Sequence, residues 1–331
     1  MGKSARAKQA RRAQRSAVTA NGGDPAVDPA AGRAAGQAVG PRQPCPCGSG
    51  RRYKNCHGSA EGAAPFVSRT FEGLPGECDW VALREFVPAA SAPLRLTGTD
   101  RAVQVCSLLP MTWPALVRDD GSLWLGLQVQ HDSGDASRDL ARVTELALEA
   151  EPGNPVVMPD LPGPGPRMQD LVAADATFEV TVHDGFDFWV ADVDDPTGEV
   201  AASLQNANAA MTPTRRLESV DAAYWCDVGT KEHLRWVMPH AEDPMLDALA
   251  RLHAKEADSL VDGSRLVGSF RAHGLLVPVW DLPVGTGAEV LEEPAAAFAT
   301  RLGDALADTT ALSAQERAAR AGLRNRQLTI R

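Results

Sequence analysis

The chain has 331 residues with 33 Lys and Arg against 43 Asp and Glu, a net charge of −10, and 44% hydrophobic residues. That is length enough for one or two globular domains with a real hydrophobic core. The charge is divided: residues 1–60 hold eleven Lys/Arg against two Asp, a net +9, and residues 61–331 carry −19. A body so acidic is excluded from lying broadly on nucleic acid, which needs clustered cations. No apolar run reaches the ~18 residues of a membrane-spanning helix, so the sequence predicts no membrane span.

The first segment, 1–43, is basic and then Ala/Gly/Pro-rich. Lys3, Arg6, Lys8, Arg11, Arg12 and Arg15 occur without an acid among them. They fall nearly all round a helix, leaving no apolar face to dock, so the arm is expected to be disordered in isolation. It is either a solvated tail or an arm that gains order on RNA, a ribosome or anionic lipid. A basic start without the apolar stretch of a signal peptide predicts a reducing, cytoplasmic setting.

Residues 44–60 contain "PCPCGSGRRYKNCHG". Clustered cysteines in a reducing compartment more often hold metal than form disulfides. Thiolates are soft ligands and imidazole is borderline, and four such donors suit a closed tetrahedral Zn(II) site. Cys45, Cys47, Cys56 and His57 supply that number. In extended backbone Cys45 and Cys47 share a side, and Gly48-Ser49-Gly50 lets the chain reverse. Cys56 and His57 are neighbours, so the chain must curl there, most simply in a helical turn. A disulfide between Cys45 and Cys47 would close a strained small ring, and a metal-free loop would leave three thiols unexplained. The expected fold is a zinc knuckle that the metal itself stabilises, by about 10–16 kcal/mol in comparable modules.

The pattern Cys-x-Cys-Gly-Ser-Gly, a basic or aromatic stretch, Lys, one residue, Cys and Cys or His resembles the SEC-C motif. That short zinc-binding module is found at the C-terminus of the bacterial preprotein translocase ATPase. Cys45, Cys47, Gly48, Ser49, Gly50, Tyr53, Lys54, Cys56 and His57 all match it. The resemblance implies that Cys45, Cys47, Cys56 and His57 bind zinc. It also implies a docking role, because the translocase module touches a chaperone, lipid and the ribosome.

The body reads as α+β. Trp80, Leu83 and Val87 fall at helical spacing before Pro88. "AVQVCSLL" and "SLWLGLQVQ" read as strands, "SGDASRDLARVTELALEA" as a helix, and "PGNPVVMPDLPGPGPR" as an exposed connection. "TFEVTVHDGFDFWVADVD" reads as a hairpin turning at Asp184-Gly185. "AYWCDV", "EHLRWVM" and "HGLLVPVWDL" read as strands, with helices from Asp243 to about Asp258 and from Pro294 to Leu306. The Ser313/Glu316 pair signals a capped last helix, whose arginines form either a basic contact surface or the stripe of an ordinary terminal helix. "PFVSRTFEGLPGECDWVALREFVPA", taken with the arm and motif, is similar to an uncharacterised actinobacterial family of SEC-C proteins.

An offset of 109 residues places Leu125, Leu127, Val129 and His131 opposite Leu234, Trp236, Met238 and His240. Each set runs from an alternating strand through a histidine and an acidic turn into a helix, which suggests two related strand-helix modules. The expected organisation is therefore an arm (1–43), a knuckle (44–60), two α+β modules (66–165 and 166–310) and a basic C-terminal helix (311–331). Cys78, Cys106 and Cys226 read as small core residues. "DVDDPTGE" at 192–199 only faintly matches a calcium loop, since Pro196 and the displaced Gly198 break the ligand pattern. No nucleotide, nucleophile-elbow or metalloprotease motif occurs, and no catalytic residue is assigned. The functional expectation is a cytoplasmic zinc-binding adaptor docking on a protein or ribonucleoprotein, such as a ribosome, nascent chain or export component. RNA contact would fall to the arm. The alternative is an enzyme whose site lies between the modules and uses His131, His183 or His240 with nearby carboxylates.

Overall fold

The computed structural model describes residues 42–43, 52–55, 66–130, 132–158, 162–190, 198–326 and 328. Residues 1–56 and 57–331 form two compact units. Among the described residues the second unit holds two β-sheets and seven α-helices. None of these helices is long and apolar enough to cross a membrane.

The first sheet has the order β5-β3-β4-β2-β1-β6. Its strands are β1 (Ala90–Leu94), β2 (Val103–Cys106), β3 (Ala115–Val117), β4 (Leu123–Gly126), β5 (Pro155–Val156) and β6 (Thr181–Val182). Only β2 and β4 pair in parallel. Alternation sorts the side chains. Ala92, Val105, Leu123 and Ala115 turn inward and are fully buried. Ser91, Gln104 and Trp124 take the outer face. The inner face packs on helix α1 (Glu77–Glu85), which buries Trp80, Val81 and Leu83, and on α2 (Ala136–Glu149). Asp135 caps α2 by accepting from the amides of Ser137 and Arg138 at 3.2 and 3.3 Å. Arg167 in turn holds the Asp135 carboxylate at 2.8 and 3.1 Å, so the acidic turn before α2 is a helix cap.

The proline-rich connection after β5 is not a free linker. Arg138, only 4% exposed, donates to the carbonyls of Pro162 (3.1 Å), Gly163 (3.0 Å) and Pro166 (2.8 Å). Proline removes amide donors but keeps the carbonyl, so such a loop cradles a cation. Gly165 has no Cβ because one would overlap the Arg138 guanidinium. A single turn, α3 (Met168–Leu171), follows.

Among the described residues, which here reach Val190, the hairpin expected over 177–194 is not formed. β6 pairs only with Ala90 and Ser91 of β1. The chain then turns into a short 3-10 helix at Asp187–Trp189. Aromatic contacts override the alternation there: Phe186 stacks on Trp189 at 4.2 Å, and the Phe186 amide donates to Asn208 at 2.8 Å. Arg118 adds a 2.6 Å bond to the Trp189 carbonyl. Asn208 lies on α4 (Glu199–Ala209).

The second sheet, β10-β11-β9-β8-β7, is antiparallel throughout. Its strands are β7 (Thr214–Arg216), β8 (Ala223–Asp227), β9 (Glu232–Trp236), β10 (Arg265–Ala272) and β11 (Leu275–Leu282). One face carries Leu234, Trp236 and Trp280 against α5 (Glu242–Ala254) and α6 (Glu292–Ala307), with Phe298 edge-on to Trp280 at 5.1 Å. The other carries Tyr224, Phe270 and Val277 into the core shared with α1, where Phe86 meets Tyr224 and Phe270 edge-on at 5.8 and 5.9 Å.

Pro278 is tolerated in β11 for a geometric reason. Its partner Ser269 turns its amide and carbonyl outward, to Arg326 (3.2 Å) and Leu328 (3.0 Å). The missing Pro278 amide therefore points away from β10, and β9 pairs β11 only from Val279 to Leu282. The outer edge of β10 is thus met at Ser269 by Arg326 and Leu328, which follow α7 (Ala314–Asn325). A Cβ on Gly268 would collide with the Arg326 carbonyl at 2.5 Å.

The capping box at the start of α7 is present: Ser313 accepts from the Glu316 amide at 3.2 Å, and Glu316 from the Ser313 amide at 2.7 Å. Of its arginines, Arg320 is turned to the body, while Arg317 and Arg324 are exposed. Arg320 bonds Asp243 at 2.6 Å and also Asp247, both on α5. Arg251, 6% exposed at its side chain, reaches Asp308 at 3.2 Å.

Both 109-offset segments are hairpins followed by a helix: β3-β4-α2 and β8-β9-α5. Their surroundings differ. After α2 the chain returns beside the first hairpin strand, β3, whereas β11 lies beside the second, β9.

Candidate functional site

The four expected metal donors, Cys45, Cys47, Cys56 and His57, lie outside the described residues, as do His131 and Asp192, Asp194 and Asp195 of the faint calcium pattern. Around the donors, the Tyr53 amide donates to the Gln43 carbonyl at 2.8 Å. That bond brings together the two sides of the segment that carries Cys45 and Cys47. A 3-10 turn, Tyr53–Asn55, immediately precedes Cys56 in the sequence. Three thiols and an imidazole remain a donor set suited to tetrahedral zinc.

In the body, a cleft of about 880 Å³ opens where the start of α1 and the Phe178–Val180 segment face the end of β9 and helix α6. Ala299, Leu302, Gly303 and Leu306 line it from α6 at spacings of three and four, so one helical stripe forms a wall. Trp236, Met238 and Phe178 add apolar surface.

The charged groups here are committed. Asp79 accepts from Arg216 Nε at 3.0 Å and Nη2 at 3.2 Å, and from the Tyr224 hydroxyl at 2.6 Å. Burial opposes the Arg216 charge, but its bonds to Asp79 outweigh that and raise its pKa. Burial raises the Tyr224 pKa as well. Glu77 is held by Arg69 at 2.6 and 2.8 Å. Burial and the flanking carboxylates of Glu77 and Asp79 push the Cys78 thiol up to about 12, which suppresses the thiolate a nucleophile needs. Cys78 is half-buried, packed against the first core and lining the cleft, whereas Cys106 and Cys226 are buried.

The structure separates the expected histidines. His240 lines the cleft, its pKa lowered by burial. His183 sits on the outer face of the first sheet, 2.8 Å from Ser91 Oγ and stacked on Phe188 at 4.1 Å. Burial lowers its pKa too, against the pull of Asp184. Phe188 stacks in turn near Trp124 at 6.0 Å, and Arg118 lies 4.7 Å over the Trp124 ring. Among the described residues no three His, Cys, Asp or Glu side chains converge as a metal site.

Sequence reading alone missed Asp79, Arg216 and Tyr224, which lie 137 and 145 residues apart. The available signal was an aspartate on the apolar-spaced first turn of α1, at a position expected to be buried.

The SEC-C motif matches residues 42–59, a span that includes all four expected donors. No curated protein and no solved structure matches the chain. A family of unknown function, DUF5926, matches residues 70–331, which takes in both sheets and every helix of the body. The chain therefore belongs to the DUF5926 family and carries a SEC-C motif ahead of the region that defines it.

Proposed function

We propose that this protein is a cytoplasmic zinc-binding adaptor. The observation that carries the reading is the SEC-C match over residues 42–59, with every donor position of the motif filled. Cys45, Cys47, Cys56 and His57 would hold Zn(II), and a site closed by four protein ligands leaves no open position for a catalytic water. Such a knuckle acts as a docking knob. The partner is a protein or ribonucleoprotein, with a ribosome, nascent chain or export component as the expected class, and the arm's cations add attraction to RNA. The body, read as two α+β modules meeting at the cleft, supplies the recognition surface. The closed ion pairs of Glu77 and Asp79 support binding over catalysis there, because these carboxylates are occupied as structural acceptors.

The test is metal analysis combined with affinity purification. Wild type should contain one zinc per chain and retain a partner that is lost together with the metal in Cys45→Ser/Cys47→Ser. A metal-free wild type, or partner retention unchanged in the variant, would overturn the reading.

A further inference from the structure

We propose that the cleft between α1 and α6 receives a basic amphipathic helix from a partner protein; this rests on the adaptor reading and gives it a binding surface. On α6, Ala299, Leu302, Gly303 and Leu306 lay a stripe two turns long along one wall. A stripe at spacings of three and four is the surface that a second helix packs against. The volume of about 880 Å³ is continuous with Trp236 and Met238, so apolar side chains on the incoming helix are buried against the end of β9.

The charge of the lining selects the occupant. The lining holds four carboxylates, Glu77, Asp79, Glu179 and Asp221, against one guanidinium, Arg216. Arg69 neutralises Glu77 and Arg216 neutralises Asp79. That leaves Glu179 and Asp221 exposed at the rim, Asp221 lying 3.8 Å from an Arg216 nitrogen already bound to Asp79. His240 adds little positive charge at neutral pH, since burial favours its neutral form. An apolar floor with an acidic rim matches a helix whose one face is apolar and whose other is Lys/Arg-rich. The chain's own arm has the cations and lacks the apolar face, so a partner fits better.

The probe is a fluorescent synthetic helix with a leucine face and a lysine face, titrated by anisotropy into the full-length protein beside an analogue with glutamate in place of lysine. The lysine helix should bind at least about tenfold more tightly. Gly303→Trp should weaken it by about tenfold or more while far-UV circular dichroism and the melting temperature hold, because a Cβ at Gly303 meets nothing within 4 Å and the ring enters the cleft. Glu179→Lys/Asp221→Lys should weaken the lysine helix and tighten the glutamate one. Equal binding of both helices, or wild-type binding by Gly303→Trp, would overturn the proposal. The adaptor reading fails on a different measurement, the zinc content and partner retention of the cysteine variant, so the two failures are distinguishable.

Discussion

Arg216 and Tyr224 stand directly opposite each other across β7 and β8, and both donate to the same carboxylate, Asp79 on α1. Cross-strand neighbours on one face thereby fix a helix that belongs to the core of the other sheet. Truncating Asp79 leaves the buried Tyr224 hydroxyl without its acceptor and Arg216 with only the exposed Asp221, 3.8 Å away. Asp79→Ala should cost about 3–5 kcal/mol of stability, as removal of one partner of a buried pair does. Tyr224→Phe should cost about 1.5–3 kcal/mol, the range for a hydrogen bond to a charged group. Urea denaturation of the two single variants and the double variant checks this. The double variant should lose less than the sum, and strict additivity would mean the three groups do not act together.

The Arg138 cradle gives a second prediction. Arg138→Ala strands three carbonyls near a buried helix start and should cost about 3 kcal/mol, while Gly165→Ala should cost over about 1 kcal/mol by displacing the guanidinium. Thermal melts of both variants measure this. Unchanged stability in Arg138→Ala would mean that water serves the carbonyls equally well.

Two arginines at the docking of α7 differ in burial. Arg251 has 6% and Arg320 24% of its side chain exposed. Arg251→Ala should therefore destabilise by about 3 kcal/mol, and Arg320→Ala by at most about 1 kcal/mol. Limited proteolysis between α6 and α7 should accelerate in the first variant and barely change in the second. The reverse order would contradict the burial argument.

Acidification below neutrality should destabilise the fold. Burial lowers His183, His233 and His240, with Asp184 and Asp281 opposing at the first two and Arg235 and Lys231 reinforcing at His233. A histidine with a depressed folded pKa contributes fully above its unfolded value of about 6.5, and that contribution is lost as the pH falls through the folded value. Denaturation midpoints should drop from about pH 7.5 to about pH 5.5, below the unfolded histidine value. His183→Gln should flatten the slope. A midpoint that rises on acidification would refute the sign.

The sequence made the regular elements legible where local pattern and tertiary demand agree. Leu123, Leu125 and the β8-β9 pair alternate because one face is buried, and Ser313 with Glu316 marks the start of α7 by a local bond. It failed where distant contacts decide. The Asp184-Gly185 turn has every local mark of a hairpin, yet Phe186 and Trp189 stack and Asn208 takes the Phe186 amide, so a 3-10 turn forms. Strand β1, "ASAPL", lacks β-branched residues and contains a proline. Pro93 is allowed there because β6 pairs only with Ala90 and Ser91. The cleft was invisible because its walls come from α1, β9 and α6, and the pair at its base, Asp79 and Arg216, meets across 137 residues.

The outward bonds of Ser269 to Arg326 and Leu328 have a consequence for solution behaviour. An eight-residue rim strand with free peptide groups is a template on which further chains can stack. Here Arg326 and Leu328 occupy that template at Ser269, so they act as a guard against self-association. Shortening the chain before Arg326, or fusing a bulky group close behind it, should expose β10 and turn a well-behaved preparation into one that aggregates with its fold otherwise intact.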